Sequence, residues 1–560
     1  MNRTVIAVAV CIFAANCAFV ANVAHAQAQT QTQDDLTRRV DVTRDYAPRV
    51  DRAAKLSVRP QVADTTTLRP DLDYTIRPRV WASRFDVTPI RAAQLSAGAR
   101  NELNPFYLKA GGGVPGQSVV DLYLTSTRPG ATAGGVYVNH RGRFHDIDNY
   151  DCVRNSANAT WNSFGAFGRA DVGRRLMIAG DAGWDYDVLS YYGVRFAESD
   201  EARAVPMQHY SVPRASVVFG HDFADLSRLN FRIGADGYLL SDRYDRTERG
   251  GEAFAELGRR FGEHNLGLRA DVNSWAGGKD ENETGSSVYS LGGHYSYEGQ
   301  HFLFRMGAAF ASENYPAGEQ EAKMRFLPQL ELRFRLAGGA FNPYTRFDSR
   351  LTPNNMRIIT QRNPYILLDG SPVGFAESEV LYGGRAGVNG GVAGVFSYNI
   401  YGGRNSVRNA AGFDYAADGG FDVRFFDKVE YSLFGAEMEV RAGRMLSVAL
   451  DGQYNIYRDE DILYNYALPD WEVGIEARLR SRGERLSVAA GVRLRDGIAF
   501  TPDTERNDPT ADLRLTVDYR ISNRFGVFVE GRNLLNQSLY PLPFYRGTGA
   551  SITAGVKLTL

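Results

Sequence analysis

The sequence predicts an all-β fold: a large antiparallel transmembrane β-barrel of 22 strands, or 20 if the first two do not form, behind a short extended N-terminal arm. Three observations predict it. Segment after segment alternates apolar and polar residues at a period of two, the signature of strands with one greasy face. The connections between these segments alternate long and short. The chain also ends on an apolar strand, where Ile552, Ala554, Val556, Leu558 and Leu560 face one way and Ser551, Thr553, Gly555, Lys557 and Thr559 the other. An open edge of that kind promotes aggregation in water. It is harmless as the closing stave of a barrel, where every backbone group is paired.

Composition agrees. The chain has 560 residues, 44% hydrophobic and 23% charged, with 30 Tyr, 31 Phe and 58 Gly, a profile too polar for a bundle of spanning helices. In a barrel only alternate residues meet lipid. The formal net charge of −1 gives no reason to expect a nucleic-acid partner. Cys152 is the one cysteine beyond the leader, so disulfides do not hold the fold.

Residues 1–26 read as a secretory signal peptide, with Arg3 before an apolar run and Ala24-His25-Ala26 as the cleavage site. An anchor helix is the alternative, but the Gln-rich stretch that follows lacks stop-transfer charges. Residues 27–104 contain Pro48, Pro60, Pro70, Pro78 and Pro89 and no sustained period, so they read as a periplasmic or lumenal arm. Within it Val40, Asp41, Val42 and Thr43 form a short β-prone stretch to which a partner could add a strand. An arm that only lies against the barrel is the plainer reading.

Residues 105–560 carry the barrel. Strands are expected near 105–112, 117–127, 132–142, 159–172, 174–187, 207–222, 226–241, 248–261, 263–275, 286–299 and 300–314. They continue near 322–336, 338–350, 376–390, 391–404, 426–441, 443–457, 467–481, 483–498, 509–521, 523–535 and 548–560. Leu229, Phe231 and Ile233 oppose Arg228, Asn230 and Arg232; Leu513, Leu515 and Val517 oppose Asp512, Arg514 and Thr516. An Arg facing lipid at mid-bilayer costs about 2–4 kcal/mol. Charges on so many strands would then exceed a typical domain stability of roughly 5–15 kcal/mol. The charged parity must therefore face the lumen. A soluble solenoid or sandwich leaves two faces of equal extent unexplained.

Short turns such as Val172-Gly173-Arg174, Phe261-Gly262-Glu263 and Arg482-Gly483-Glu484 suit tight hairpins. Long connections fall near 143–158, 188–206, 275–286, 351–375, 405–425, 499–508 and 536–547. Short periplasmic turns and long external loops are the bacterial outer-membrane pattern, and both termini on one side require an even strand number. In 429–440 the apolar parity switches, which suggests a bulge near Gly435. Trp184, Tyr191, Tyr192, Tyr454, Tyr457, Tyr464 and Tyr466 suit an interfacial girdle.

The segment Gly531-Arg532-Asn533-Leu534-Leu535-Asn536, then Tyr540, then Tyr545-Arg546-Gly547-Thr548-Gly549 and the closing strand, resembles the C-terminal end of TonB-dependent receptors. In that family a similar turn follows the penultimate strand, and the last strand usually ends in an aromatic residue where this chain has Leu560. The resemblance implies a 22-stranded outer-membrane barrel that passes or gates a solute. It also implies contact with lipid and lipopolysaccharide, insertion by the barrel-assembly machinery and a TonB-type or other periplasmic partner. The family's plug exceeds a hundred residues, and 27–104 do not read as one. The chain is in this respect similar to plug-less, receptor-like barrels of Bacteroidota-type bacteria, for which coupled import is not implied.

No catalytic residue, metal ligand or cofactor site is expected. No His pair has zinc-like spacing on one strand face. His140 and His145 read as surface residues at a loop edge, and His294 with Ser296 as a chance pairing on one strand. Three acidic groups (Asp146, Asp148, Asp151; Asp280, Glu281, Glu283; Asp459, Glu460, Asp461) read as solvated loop tips, with divalent cations bridging lipopolysaccharide as the alternative. A non-transporting structural or assembly barrel is the second functional expectation.

Overall fold

The computed structural model describes residues 105–560, except 127–131, 149–153, 174, 195–204, 224, 280–283, 315–321, 368–375, 417–418 and 459–465. The leader, the arm and Val40–Thr43 therefore lie outside the described residues. The described chain forms one closed antiparallel sheet of 22 strands, with a separate two-stranded ribbon in one connection. Each strand pairs with its neighbours in sequence, from Phe106–Val114 to Ser551–Thr559. These first and last strands then pair with each other, Lys109 opposite Lys557 and Gly111 opposite Gly555. That seam settles the strand number at 22. Gly111-Gly112-Gly113 looks too weak for a strand in sequence because its side-chain space is filled from elsewhere. A Cβ on Gly111 would lie 2.6 Å from the Ala554 carbonyl oxygen and 2.8 Å from the Phe528 ring.

Strand positions follow the expected ones closely; Ala159–Val172 matches to the residue. Gly173, Gly262 and Gly443 have positive φ in short turns at the end that holds Phe106 and Thr559. Most long connections lie at the other end.

The two faces separate as charge and hydropathy require. Leu229, Ile233, Leu268, Leu291, Phe310, Phe326, Ile475, Leu479 and Ile552 are exposed on the outside. Inside, Lys109 pairs with Glu530 at 2.5 Å, Arg141 with Asp121 at 2.8 Å, Arg214 with Asp181 at 2.5 Å and Arg269 with Asp271 at 2.6 Å. Arg493 bonds Glu472, and Lys557 bonds Asp518.

Three expectations are corrected. The stretch 405–425 is not a loop: Phe396–Tyr415 and Phe421–Ala442 form one long hairpin with a connection of 416–420. Its register is unbroken through Gly435, so there is no bulge there. What changes is the environment along the strand. Phe434 and Val440 face out in the apolar belt, whereas Val429, Tyr431 and Leu433 face in and pack with Tyr401, Val407 and Ala410. Among the girdle aromatics, Trp184 and Tyr454 are exposed on the outer face, but Tyr191, Tyr192 and Tyr466 are buried. Tyr457 packs inward on Tyr431, and Tyr464 lies outside the described residues. His140 lies near the end of strand Thr132–Arg143, within the strand expected at 132–142.

Candidate functional site

Connections from separated parts of the sheet meet over the lumen at its long-connection end. Tyr545 comes from the connection before the closing strand and is fully buried. Its ring lies 4.8 Å from Tyr192, in the connection after strand Leu176–Ser190. It lies 4.0 Å from Tyr365, in the connection after strand Asn342–Thr352. Its hydroxyl donates to the Gly419 carbonyl at the tip of the long hairpin. These strands are well apart in the sheet order, so their connections touch by reaching across the opening. A barrel of this size encloses a wide lumen that natural examples fill.

Tyrosine suits this cap because the ring packs dry while the hydroxyl satisfies a loop carbonyl that has no ladder partner. Tyr192 Oη donates to the Arg546 carbonyl at 3.0 Å, Tyr191 to Ile366 at 3.2 Å and Tyr210 to Pro364 at 3.0 Å. Tyr415 donates to Gly193 at 2.8 Å and Tyr466 to Phe413 at 3.0 Å. Burial pushes the Tyr545 and Tyr192 phenols well above the ordinary range, so both remain protonated donors. Ile147, Leu189, Met356, Ile359, Ile366 and Phe421 complete the apolar cluster.

A short helix, α1 (Met356–Arg362), anchors the largest connection. Asn355 caps it, its side chain accepting from Ile358 N at 2.9 Å, and the Asn363-Pro364 pair stops it. Its first turn is met by Glu248, only 3% exposed on the wall. The Glu248 carboxylate accepts from Met356 N at 2.6 Å, Arg357 N at 3.0 Å and Tyr238 Oη at 2.8 Å. A carboxylate against free N–H groups at a helix start is favourable in charge and geometry. Further along, Glu377 accepts from Lys323, from Arg325 at 2.6 Å and from Asn409 at 3.1 Å. Partial burial raises the Glu377 pKa, but the Lys323 hydrogen bond and charge outweigh that and hold it below the ordinary value.

The C-terminal motif has a structural role beside this cap. Asn533 and Asn536 both take positive φ, which Asn tolerates well. Asn533 Nδ2 donates to Gln537 O at 2.8 Å and Thr548 O at 3.1 Å, and Asn536 Oδ1 accepts from Ala550 N at 2.9 Å. Gly531 and Arg532 end the penultimate strand, Leu534 N bonds Leu513 O, and Leu535 is exposed. Tyr540 packs edge-on against Phe500 at 4.9 Å. The motif thus folds the last connection so that Tyr545 reaches the lumen. In the closing strand Ile552 and Val556 are exposed on the outer face, and Leu560 bonds Phe106 across the seam. Glu248 and α1 were missed in sequence, although Asn355 and Asn363-Pro364 mark the helix ends. Of the acidic groups, Asp146 and Asp148 lie in the small ribbon, and Asp146 pairs with exposed Arg154 at 3.6 Å. The remaining members fall outside the described residues.

No protein-family model matches the sequence, and no curated protein matches it either. Solved structures do match. The FrpB iron transporter of Neisseria meningitidis aligns with a TM-score of 0.66 at 10% identity, over 82% of this chain and 82% of that one. The siderophore receptor PirA of Acinetobacter baumannii aligns at 0.62 and 11%, over 81% and 80%. The ferripyoverdine receptor of the Pseudomonas aeruginosa outer membrane aligns at 0.58 and 13%, over 82% and 72%. At such identities the likeness speaks to fold. The chain has the 22-stranded barrel fold of the TonB-dependent receptors, the family that its C-terminal motif resembles.

Proposed function

We propose that this chain is an outer-membrane barrel that gates the passage of a solute, with the tyrosine cap as the gate. The observation that carries the reading is the meeting of Tyr192, Tyr365, Gly419 and Tyr545 from separated connections over one lumen. Below the cap the wall is charged and wet; at the cap the path is dry. A solute must part the connections to enter, and phenol-to-carbonyl bonds of roughly 1 kcal/mol each are a scale at which loops can open. The apolar exterior supports an outer-membrane setting, with the short turns on the periplasmic side. The structural neighbours named for iron or ferric chelates make that the first solute class to test. A periplasmic energy-coupling partner belongs to the same reading.

The test is single-channel recording of the purified chain in a planar bilayer, with binding of ferric chelates measured by fluorescence quenching. The gate reading expects low basal conductance that rises in steps when the cap is cut. A barrel that stays silent with the cap removed, and that co-purifies with one fixed partner, would instead support a structural or assembly subunit.

A further inference from the structure

The outer face carries a polar constellation that passage through the lumen does not use. Ser118, His140 and Asn162 stand on three adjacent strands, Gln117–Thr125, Thr132–Arg143 and Ala159–Val172. Ser118 Oγ lies 2.7 Å from His140 Nε2, and His140 Nδ1 lies 2.7 Å from Asn162 Oδ1. Asn162 is held in turn, its Nδ2 donating to the Tyr186 carbonyl at 2.9 Å. That contact turns Oδ1 toward the ring. An amide oxygen only accepts, so the proton sits on Nδ1 and leaves Nε2 free to accept from the serine hydroxyl.

Register fixes the face. His140 pairs with Val120 and Asn162, while Leu124 pairs with Val136, and Val138 with Phe164. Leu124, Val136 and Phe164 are exposed on the outer side, so the same parity puts all three polar residues there. Beyond them, toward the long connections, Val114, Phe144 and Ile552 are exposed and apolar. The constellation is therefore bracketed by apolar surface. A polar group against hydrocarbon is costly unless paired, and apolar residues fill the neighbouring positions.

We propose that Ser118, His140 and Asn162 are a nucleophile, base and orienter that hydrolyse ester-linked acyl chains of amphiphiles around the barrel. The arrangement of roles, not chain order, defines such a triad, and an amide is a known third member. Ser118 Oγ attacks the ester carbonyl carbon as its proton passes to His140 Nε2. The tetrahedral adduct collapses, the C–O bond to the alcohol breaks, and the alcohol leaves with that proton. Water then attacks the acyl-serine, giving a proton to His140. The acyl–Oγ bond breaks, the fatty acid departs and Ser118 regains its proton. Ester and water become acid and alcohol, with no further reactant. The proposal is independent of the gate reading, since it concerns the opposite face.

The test uses the full purified chain in detergent micelles, with fatty-acid release measured from diacylphosphatidylethanolamine in one arm and from lipopolysaccharide in the other. An alkyl fluorophosphonate with peptide mass spectrometry reads the nucleophile directly. The expected result is release in one arm and label on Ser118, both lost in S118A, with release reduced about 100-fold or more in N162A. The arm that responds distinguishes a glycerophospholipid from an acylated glycolipid. Heat-dependent gel mobility confirms that each variant is folded. No release in either arm from the folded wild-type chain, or release that survives S118A, overturns the proposal.

Discussion

The lumen wall and the loop cap face the same space but are held by different physics. The wall is a lattice of cross-strand ion pairs such as Arg269 with Asp271 and Glu252, whose partners are each about a quarter or more exposed. Such pairs contribute roughly 0–1 kcal/mol each. The wall's rigidity comes from the backbone ladder; its charges make it wettable. The cap has no continuous ladder. It is held by ring packing, phenol-to-carbonyl bonds and one buried carboxylate at a helix start. One region is a charged, ladder-held wall and the other a dry, divisible cluster, and that difference is why the proposed gate is placed in the cap.

Experiments of decreasing expected effect test whether wall and cap are separate. Replacing Met356–Ile366 with a Gly-Ser linker should raise single-channel conductance several-fold while heat-dependent gel mobility stays that of a folded barrel. Unchanged conductance would mean that this connection does not obstruct the lumen. Tyr545→Ala removes a fully buried ring and should cost the cap about 3–5 kcal/mol. Hydrogen exchange should then quicken near 191–194 and 364–366 while the wall strands stay protected. If wall and cap loosen together, they are one cooperative unit. Glu248→Gln keeps the shape but loses the charge at the start of α1 and should weaken its docking by about 1–2 kcal/mol, read as faster exchange at 356–362.

A pH series adds a smaller effect. Glu377 is held below its ordinary pKa, so its contribution is complete above the ordinary value of 4.5 and is lost as pH falls through the depressed one. The connection before strand Glu379–Val392 should thus become protease-sensitive only in acid, and Glu377→Gln should remove the acid step. Retention of that step in the variant would assign it to another group. Last, Arg269→Gln on the wall should shift stability by less than about 1 kcal/mol while altering ion selectivity.

The barrel was legible because its signals are local. Alternation such as Leu513 to Val517 against Asp512 to Thr516 reports a strand's two faces wherever that strand lies, and Gly173 or Gly262 marks a turn by its own φ. The cap was not legible, because nothing near Tyr191 or Tyr192 distinguishes a lipid-interface tyrosine from one turned inward. The apparent parity switch around Gly435 shows the same limit: a strand that leaves the apolar belt reads as a bulge when only its own residues are seen. Likewise His294 and Ser296 drew attention as a pair on one strand, whereas His140 met its partners on two others.

From the sequence alone the architecture was legible: all-β, 22 strands or 20, charged side in, and an apolar closing stave from Ser551 to Leu560. The folded sheet was needed to show that the first strand is real, that the last connection carries Tyr545 into the lumen, and that Ser118, His140 and Asn162 stand in a row. Period and turn chemistry are properties of neighbours in the chain. Closure, capping and cross-strand constellations depend on register between residues tens to hundreds of positions apart, and the folded sheet sets that register.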